Sequence, residues 1–222
     1  EDCSQAHMTA YKGRLLGTFG DLGCFSLQQS KHMTTGDGGL TITSREDLAE
    51  RMMLFRDKGW SRKPGWGPRT YLFLAPNYRM TELQAAMGRV HLRKLPALVA
   101  RRRELFGQIS EAIAGLAAVR LGKVIEGAKS SYWFLLLRVD ASRLTVDKEA
   151  FARAVAAEGR PVSPSYDHVA YDAPWLRDRG AFGTSGLPWS GPGCRSGQSH
   201  DPDPCPNARR AIAEHMMASI HE

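Results

Sequence analysis

Lys31 is the residue of this 222-residue chain whose setting most favours covalent chemistry. It follows a short apolar run, Gly23-Cys24-Phe25-Ser26-Leu27, that reads as a buried strand. The loop that carries it is rich in Ser, Thr and Gly and turns straight back into a second strand, Gly39 to Thr43. A lysine on so short a tether loses water. Burial disfavours its ammonium form, and the neutral amine is the species that attacks a carbonyl to form a Schiff base. Asp2 supplies a carboxylate able to keep a basic nitrogen protonated, and Gln5, three residues on, reaches toward the same place. Ser26 and the N–H groups near the glycines can bind phosphate oxygens. The Gly36-x-Gly38-Gly39 turn alone carries little weight, because any tight turn favours glycine and no Gly-Lys-Ser/Thr follows it. A Ser-x-x-Lys nucleophile would need serine at position 28, where Gln28 stands. His7 and His32 read as structural or exposed residues, not as bases.

Pyridoxal phosphate asks four things of a protein: a Schiff-base lysine, an acid against the pyridine nitrogen, donors for the phosphate and a group near the ring hydroxyl. Lys31, Asp2, Ser26 and Gln5 can supply them. The segments Glu1-Asp2-Cys3-Ser4-Gln5-Ala6-His7, Phe25-Ser26 to Ser30-Lys31 with Gly36-x-Gly38-Gly39, and Asn77-Tyr78-Arg79-Met80-Thr81-Glu82-Leu83-Gln84-Ala85-Ala86 resemble the DegT/DnrJ/EryC1/StrS family of sugar aminotransferases, in order and at compatible spacing. The likeness covers most of residues 1–96, and residues 97–222 resemble the family's C-terminal domain with weaker signatures.

That resemblance implies a fold type I α/β enzyme, a homodimer with its cofactor at the junction of the subunits. By the same resemblance Lys31 is the cofactor lysine, Asp2 faces the pyridine nitrogen, Gln5 lies beside the ring hydroxyl and Ser26 binds the phosphate. Asn77 reaches the phosphate from the neighbouring subunit. Lysine rather than histidine at position 31 favours transamination over dehydration. The expected reaction moves an amino group from glutamate or glutamine to a keto-sugar or keto-cyclitol, in amino-sugar, aminoglycoside or cell-surface glycan biosynthesis. The alternatives are a dehydratase or epimerase of the same family, and a truncated relative that acts only by dimerising.

The elements that must position these residues follow an α/β order. After the two strands, a helix capped at Ser44 runs through Leu48, Met52 and Phe55 toward Gly59, and an aromatic, Gly/Pro-rich loop extends from there to Pro76. Thr81 caps the next helix, with a break or kink expected at Pro96 and a second long helix beyond it. Tyr132 to Val139 reads as a strand buried on both faces, Asp147 to Ala157 as a helix, and the chain from about Asn207 to Glu222 as a last helix. Residues 1–95 are expected to be the C-terminal half of a cofactor-binding large domain, and residues 96–222 a truncated small domain. The family's phosphate-gripping helix start and ring-stacking aromatic precede the Glu-Asp motif. The chain is therefore expected to be about half of a two-domain enzyme, to bind the cofactor poorly by itself and to expose an unpaired sheet edge.

Composition agrees with a folded chain, at 42% hydrophobic and 24% charged residues. The net charge of +7 permits an anionic ligand. The densest basic stretch, Arg89 to Arg103, is interleaved with leucines at helical spacing and reads as a solvated helix face, and no nucleic-acid-binding signature accompanies it. Four cysteines without a secretory leader point to a reducing cytoplasm, and the Cys194, His200, Cys205 spacing matches no usual metal knuckle, so no metal is expected. No apolar run is long enough to span a bilayer.

Overall fold

The computed structural model describes residues 1–62, 64, 70–166, 169–191, 193–194 and 205–220. His200 and residues 63 and 65–69 of the aromatic loop, singled out above, lie outside the described residues. In chain order the elements are β1 (Ala10–Tyr11), β2 (Arg14–Leu15), β3 (Gly23–Ser26), β4 (Gly39–Ile42), α1 (Glu46–Arg56), α2 (Glu82–Ile113), β5 (Val119–Leu121), β6 (Ala128–Lys129), β7 (Phe134–Val139), α3 (Lys148–Ala157), β8 (Val162–Ser163), α4 (Pro174–Arg177), α5 (Pro206–Glu214) and β9 (His215–Ser219). They fall into two compact units. The first holds Glu1–Ala112, Lys123–Trp133 and Ile220–Glu222, the second Ile113–Gly122 and Phe134–Ser219. The boundary expected after residue 95 thus lies inside α2.

In the first unit β3 and β4 form an antiparallel pair that sets Ser26 opposite Gly39, while β1 pairs antiparallel with both β2 and β6. Asp2 bridges Cys24 in parallel, so the N-terminal segment lies alongside β3. Gly23 permits the Gly17 backbone to pack against the start of β3, since a Cβ at that position would stand 2.4 Å from the Gly17 carbonyl oxygen. The core is Leu27, Met33, Leu95 and Val99, with Met8, Met80 and Leu98 packed against it. Each such side chain contributes roughly 1.5–3 kcal/mol on full burial.

Helix α2 begins with a capping box. The Thr81 N–H donates to Gln84 Oε1 at 2.9 Å, and the Gln84 N–H donates to Thr81 Oγ1 at 3.3 Å. The helix then passes through Pro96 without ending, contrary to the expected break. Leu95 and Val99, 5% and 0% exposed, flank the proline and bury the helix there, which offsets the lost backbone bond. At α1 the N-cap is Arg45, not Ser44, and no side chain caps it. The expected solvated basic face also differs. Arg102 is only 6% exposed, and Arg103 donates to the carbonyls of Ser130 and Met8.

The second unit is a four-stranded antiparallel sheet in the order β5-β7-β9-β8. β7 is not buried on both faces: Leu135 and Val139 are buried while Leu136 is 40% exposed, the alternation of a half-buried strand. The expected last helix ends at Glu214, and His215–Ser219 is a strand paired with β7 and β8. Val139, Ala152 and Met216 form this unit's core.

Candidate active site

Leu27 closes the loop that presents Lys31. Its N–H donates to the Gly38 carbonyl at 2.9 Å, and its own carbonyl accepts from the Thr35 N–H at 3.0 Å and the Thr34 hydroxyl at 3.0 Å. Leu27 is 1% exposed and Met33 3%, so both flanks of the loop are sunk in the core while Lys31 between them stays half-buried. Gln84 fastens the far side, donating from Nε2 to the Asp37 carbonyl at 3.0 Å. Burial pushes the Lys31 amine below the usual lysine range, with the charge of Asp2 pulling it part of the way back. This is the direction that frees a nucleophilic amine.

Asp2 stays exposed, and its Oδ1 accepts from the Ser4 N–H at 3.0 Å. Hydrogen bonds from the Ser4 side chain and N–H hold its carboxyl below the usual range, so it remains an anion in the field of Lys31. Ser26 ends β3, where its hydroxyl accepts from the Gln28 N–H at 3.3 Å. Gln5 is exposed in the turn closed by the Ala6 N–H on the Cys3 carbonyl. Asn77 is bridged antiparallel to Asp57. Asp57, 4% exposed, takes an ion pair from Lys58 at 2.9 Å, another from Arg62 at 2.5 Å and a third from Arg79, which pins the segment that carries Asn77.

Several neighbours of Lys31 were not legible as site residues. His7 and His32 are buried with ring centroids 5.5 Å apart. His32 Nε2 donates to the Ser131 carbonyl at 3.1 Å, whereas its Nδ1 has no hydrogen-bond partner in the protein. Burial lowers both imidazoles, His32 to about 4. Trp133 lies against the same loop, with the Lys31 Nζ 4.0 Å from its ring centroid. About a hundred residues separate this pair, and no spacing rule joins them. The Glu-Asp-x-x-Gln-Ala-His string did place His7 next to Asp2, the one signal that marked it.

A lysine-bearing loop after a strand, an anionic aspartate on the adjoining segment and a second α/β unit fit the fold of the type I aminotransferases. The aminotransferase structure from Psychrobacter cryohalolentis shares this fold, with a TM-score of 0.75 and 26% identity over 99% of this chain and 55% of its own. Residues 1–190 match the DegT/DnrJ/EryC1/StrS aminotransferase family, and the chain belongs to that family. It is 31% identical over 197 residues to GDP-perosamine synthase of Caulobacter vibrioides, covering 84% of this chain and 52% of the relative. It is 34% identical over 197 residues to L-glutamine:2-deoxy-scyllo-inosose aminotransferase of Streptomyces lividus, covering 82% of this chain and 46% of the relative. The chain thus spans about half the length of the curated relatives it matches. Among the described residues no helix is long and apolar enough to cross a membrane, and no group of three or more His, Cys, Asp or Glu side chains could hold a metal ion.

Proposed function

We propose that the protein carrying this chain is a pyridoxal phosphate-dependent aminotransferase that moves an amino group from glutamine or glutamate to a keto-sugar or keto-cyclitol. The observation that carries this reading is the half-buried Lys31 amine, lowered by burial and faced by an anionic Asp2. The buried, unpartnered Nδ1 of the adjacent His32 fits a polar ligand, because a buried polar atom costs stability until something bonds it. Family membership supports the cofactor, and the relatives named for GDP-perosamine and for 2-deoxy-scyllo-inosose support the two ketone classes.

When bound, pyridoxal phosphate supplies an electron sink for the substrate carbon that loses its proton. The chain's own residues do the rest. Lys31 Nζ would hold the cofactor, and its amine would serve as the general base that accepts and returns a proton. Asp2 would serve the pyridine nitrogen, Gln5 the ring hydroxyl, and Ser26 with the loop N–H groups the phosphate. Asn77 would serve the phosphate of a second subunit, in an enzyme that is a homodimer. The free thiols of Cys3, Cys24, Cys194 and Cys205 suit a reducing cytoplasm.

The test is a ketone panel with glutamine and glutamate as donors, run on the purified protein and on Lys31→Ala. The variant should lose both turnover and the visible absorbance of the lysine-bound cofactor. Retained transamination by Lys31→Ala would refute the assignment.

A further inference from the structure

We propose that Trp133 is the positioning residue for Lys31, its indole face being the seat that holds the amine whenever it is not bonded to the cofactor. The proposal rests on the reading of Lys31 as the cofactor lysine. Two contacts from adjacent loop residues fix the geometry. The Lys31 Nζ lies 4.0 Å from the Trp133 ring centroid, and the indole N–H donates to the Ser30 carbonyl at 2.6 Å. The bond to Ser30 sets the plane of the ring, and the ring face then meets the amine of the next residue. An aromatic face attracts an ammonium and offers less to a neutral amine.

The backbone that aims Trp133 is held from several sides. Tyr132, a non-glycine residue, sits in the left-handed region at φ +48°. Such a conformation persists only where its surroundings over-determine it, and such residues cluster at functional sites. Here the carbonyls of Tyr132 and Trp133 both accept from Arg102 NH1, at 3.2 and 3.1 Å, and the Tyr132 ring stacks on Phe106 at 3.9 Å and 11°. One residue earlier, Ser131 is 1% exposed and receives His32 on its carbonyl. A surface tryptophan needs none of this support.

The charged and titratable groups that act on the Lys31 amine are Asp2, which favours its ammonium, and the two low-lying imidazoles of His7 and His32, whose protonation would oppose it. Burial also opposes the ammonium, and the indole face counters burial at the same atom.

The proposal is tested by the pH profile of Lys31 acylation, read by peptide mass spectrometry in cofactor-free wild type, Trp133→Leu and Trp133→Phe. Leucine keeps the apolar cover and removes the aromatic face. At a fixed pH below the midpoint it should raise the Lys31 labelling rate about 3- to 10-fold, while phenylalanine, which keeps an aromatic face but loses the bond to Ser30, should fall between leucine and wild type. Equal profiles for wild type and Trp133→Leu, or equal displacement of both variants, would reduce the indole to packing. If Trp133→Leu does not fold, indole emission decides: Lys31→Met should change the emission of the wild type but not of Trp133→Phe, and an unchanged wild-type spectrum overturns the proposal. Borohydride reduction with pyridoxal phosphate tests the underlying reading separately. A pyridoxyl adduct on another lysine would refute the role of Lys31 and leave its coupling to Trp133 measurable.

Discussion

His7 and His32 pack two buried imidazoles 5.5 Å apart and tilted at 49° to one another, and His32 Nε2 donates to the Ser131 carbonyl while its Nδ1 has no hydrogen-bond partner in the protein. Both are neutral in the folded chain because burial penalises the charged ring, and His32 titrates near 4. In the unfolded chain a histidine titrates near about 6.5, so between these values the unfolded state binds more protons. The stabilisation is therefore complete above about pH 6.5 and is lost as the pH falls toward 4. Thermal melts from pH 8 to 4 should decline more steeply for wild type than for His32→Gln, by an amount on the order of 2 kcal/mol across the window. Parallel curves would show that His32 is not the buried neutral group described here.

Lys148 ties together the end of α5 and the start of β9. Its Nζ donates to the carbonyls of Ile212 at 2.9 Å and His215 at 3.3 Å, and the residue is 9% exposed. The first of these is a carbonyl of the last helical turn, where intrahelical donors run out. Lys148→Met keeps the aliphatic stem and removes the donor. It should cost roughly 1.5–3 kcal/mol in urea unfolding, the range for a hydrogen bond to a charged group. A change below half of that would mean water replaces the amine at no cost.

These two sites also show what the sequence could and could not reveal. The capping box at Thr81 and Gln84, the strands on either side of Lys31 and the helix at Lys148 are local patterns, and each was legible. The segment His215-Met216-Met217-Ala218-Ser219 was not, since its local preference continues the preceding helix. Its strand state comes from pairing with β7 and β8, both remote in the chain. Arg102 and Arg103 carry the same charge as their exposed neighbours, and it is carbonyls remote in the chain, those of Met8, Lys129, Ser130, Tyr132 and Trp133, that turn them inward. At the candidate site the chemistry-bearing Lys31, Asp2 and Ser26 stood in short motifs, whereas Trp133 enters through the tertiary fold alone.

Gly59 ends the first helical segment by a backbone bond from its N–H to the Leu54 carbonyl at 2.8 Å, with Lys58 and Gly59 both at positive φ, +62° and +70°. A Cβ on Gly59 would stand 2.3 Å from the Phe73 carbonyl oxygen, a backbone atom that cannot yield without opening the chain. Gly59→Ala should therefore destabilise by more than about 1 kcal/mol, and by parting Gly59 from Phe73 it should raise cleavage after Arg56 and Lys58 in limited proteolysis. Protection equal to wild type would show that the two segments can separate freely.

Asp2 and Lys31 divide the proposed chemistry between a fixed anion and a mobile amine. The Ser4 hydrogen bonds keep the Asp2 carboxyl ionised well into acid, so Asp2 itself should place no ionisation in the neutral range of a pH–rate profile. Asp2→Asn keeps the shape and removes the charge. The variant should retain bound pyridoxal phosphate, judged by absorbance, while its turnover falls at least about a hundredfold, the low end of what losing a positioned proton-holding group costs. Because Asp2 favours the ammonium of Lys31, its loss should also make Lys31 acylate faster at a fixed pH below its midpoint. Turnover within threefold of wild type, with Lys31 labelling unchanged, would remove Asp2 from the site and leave Lys31 without its counter-ion.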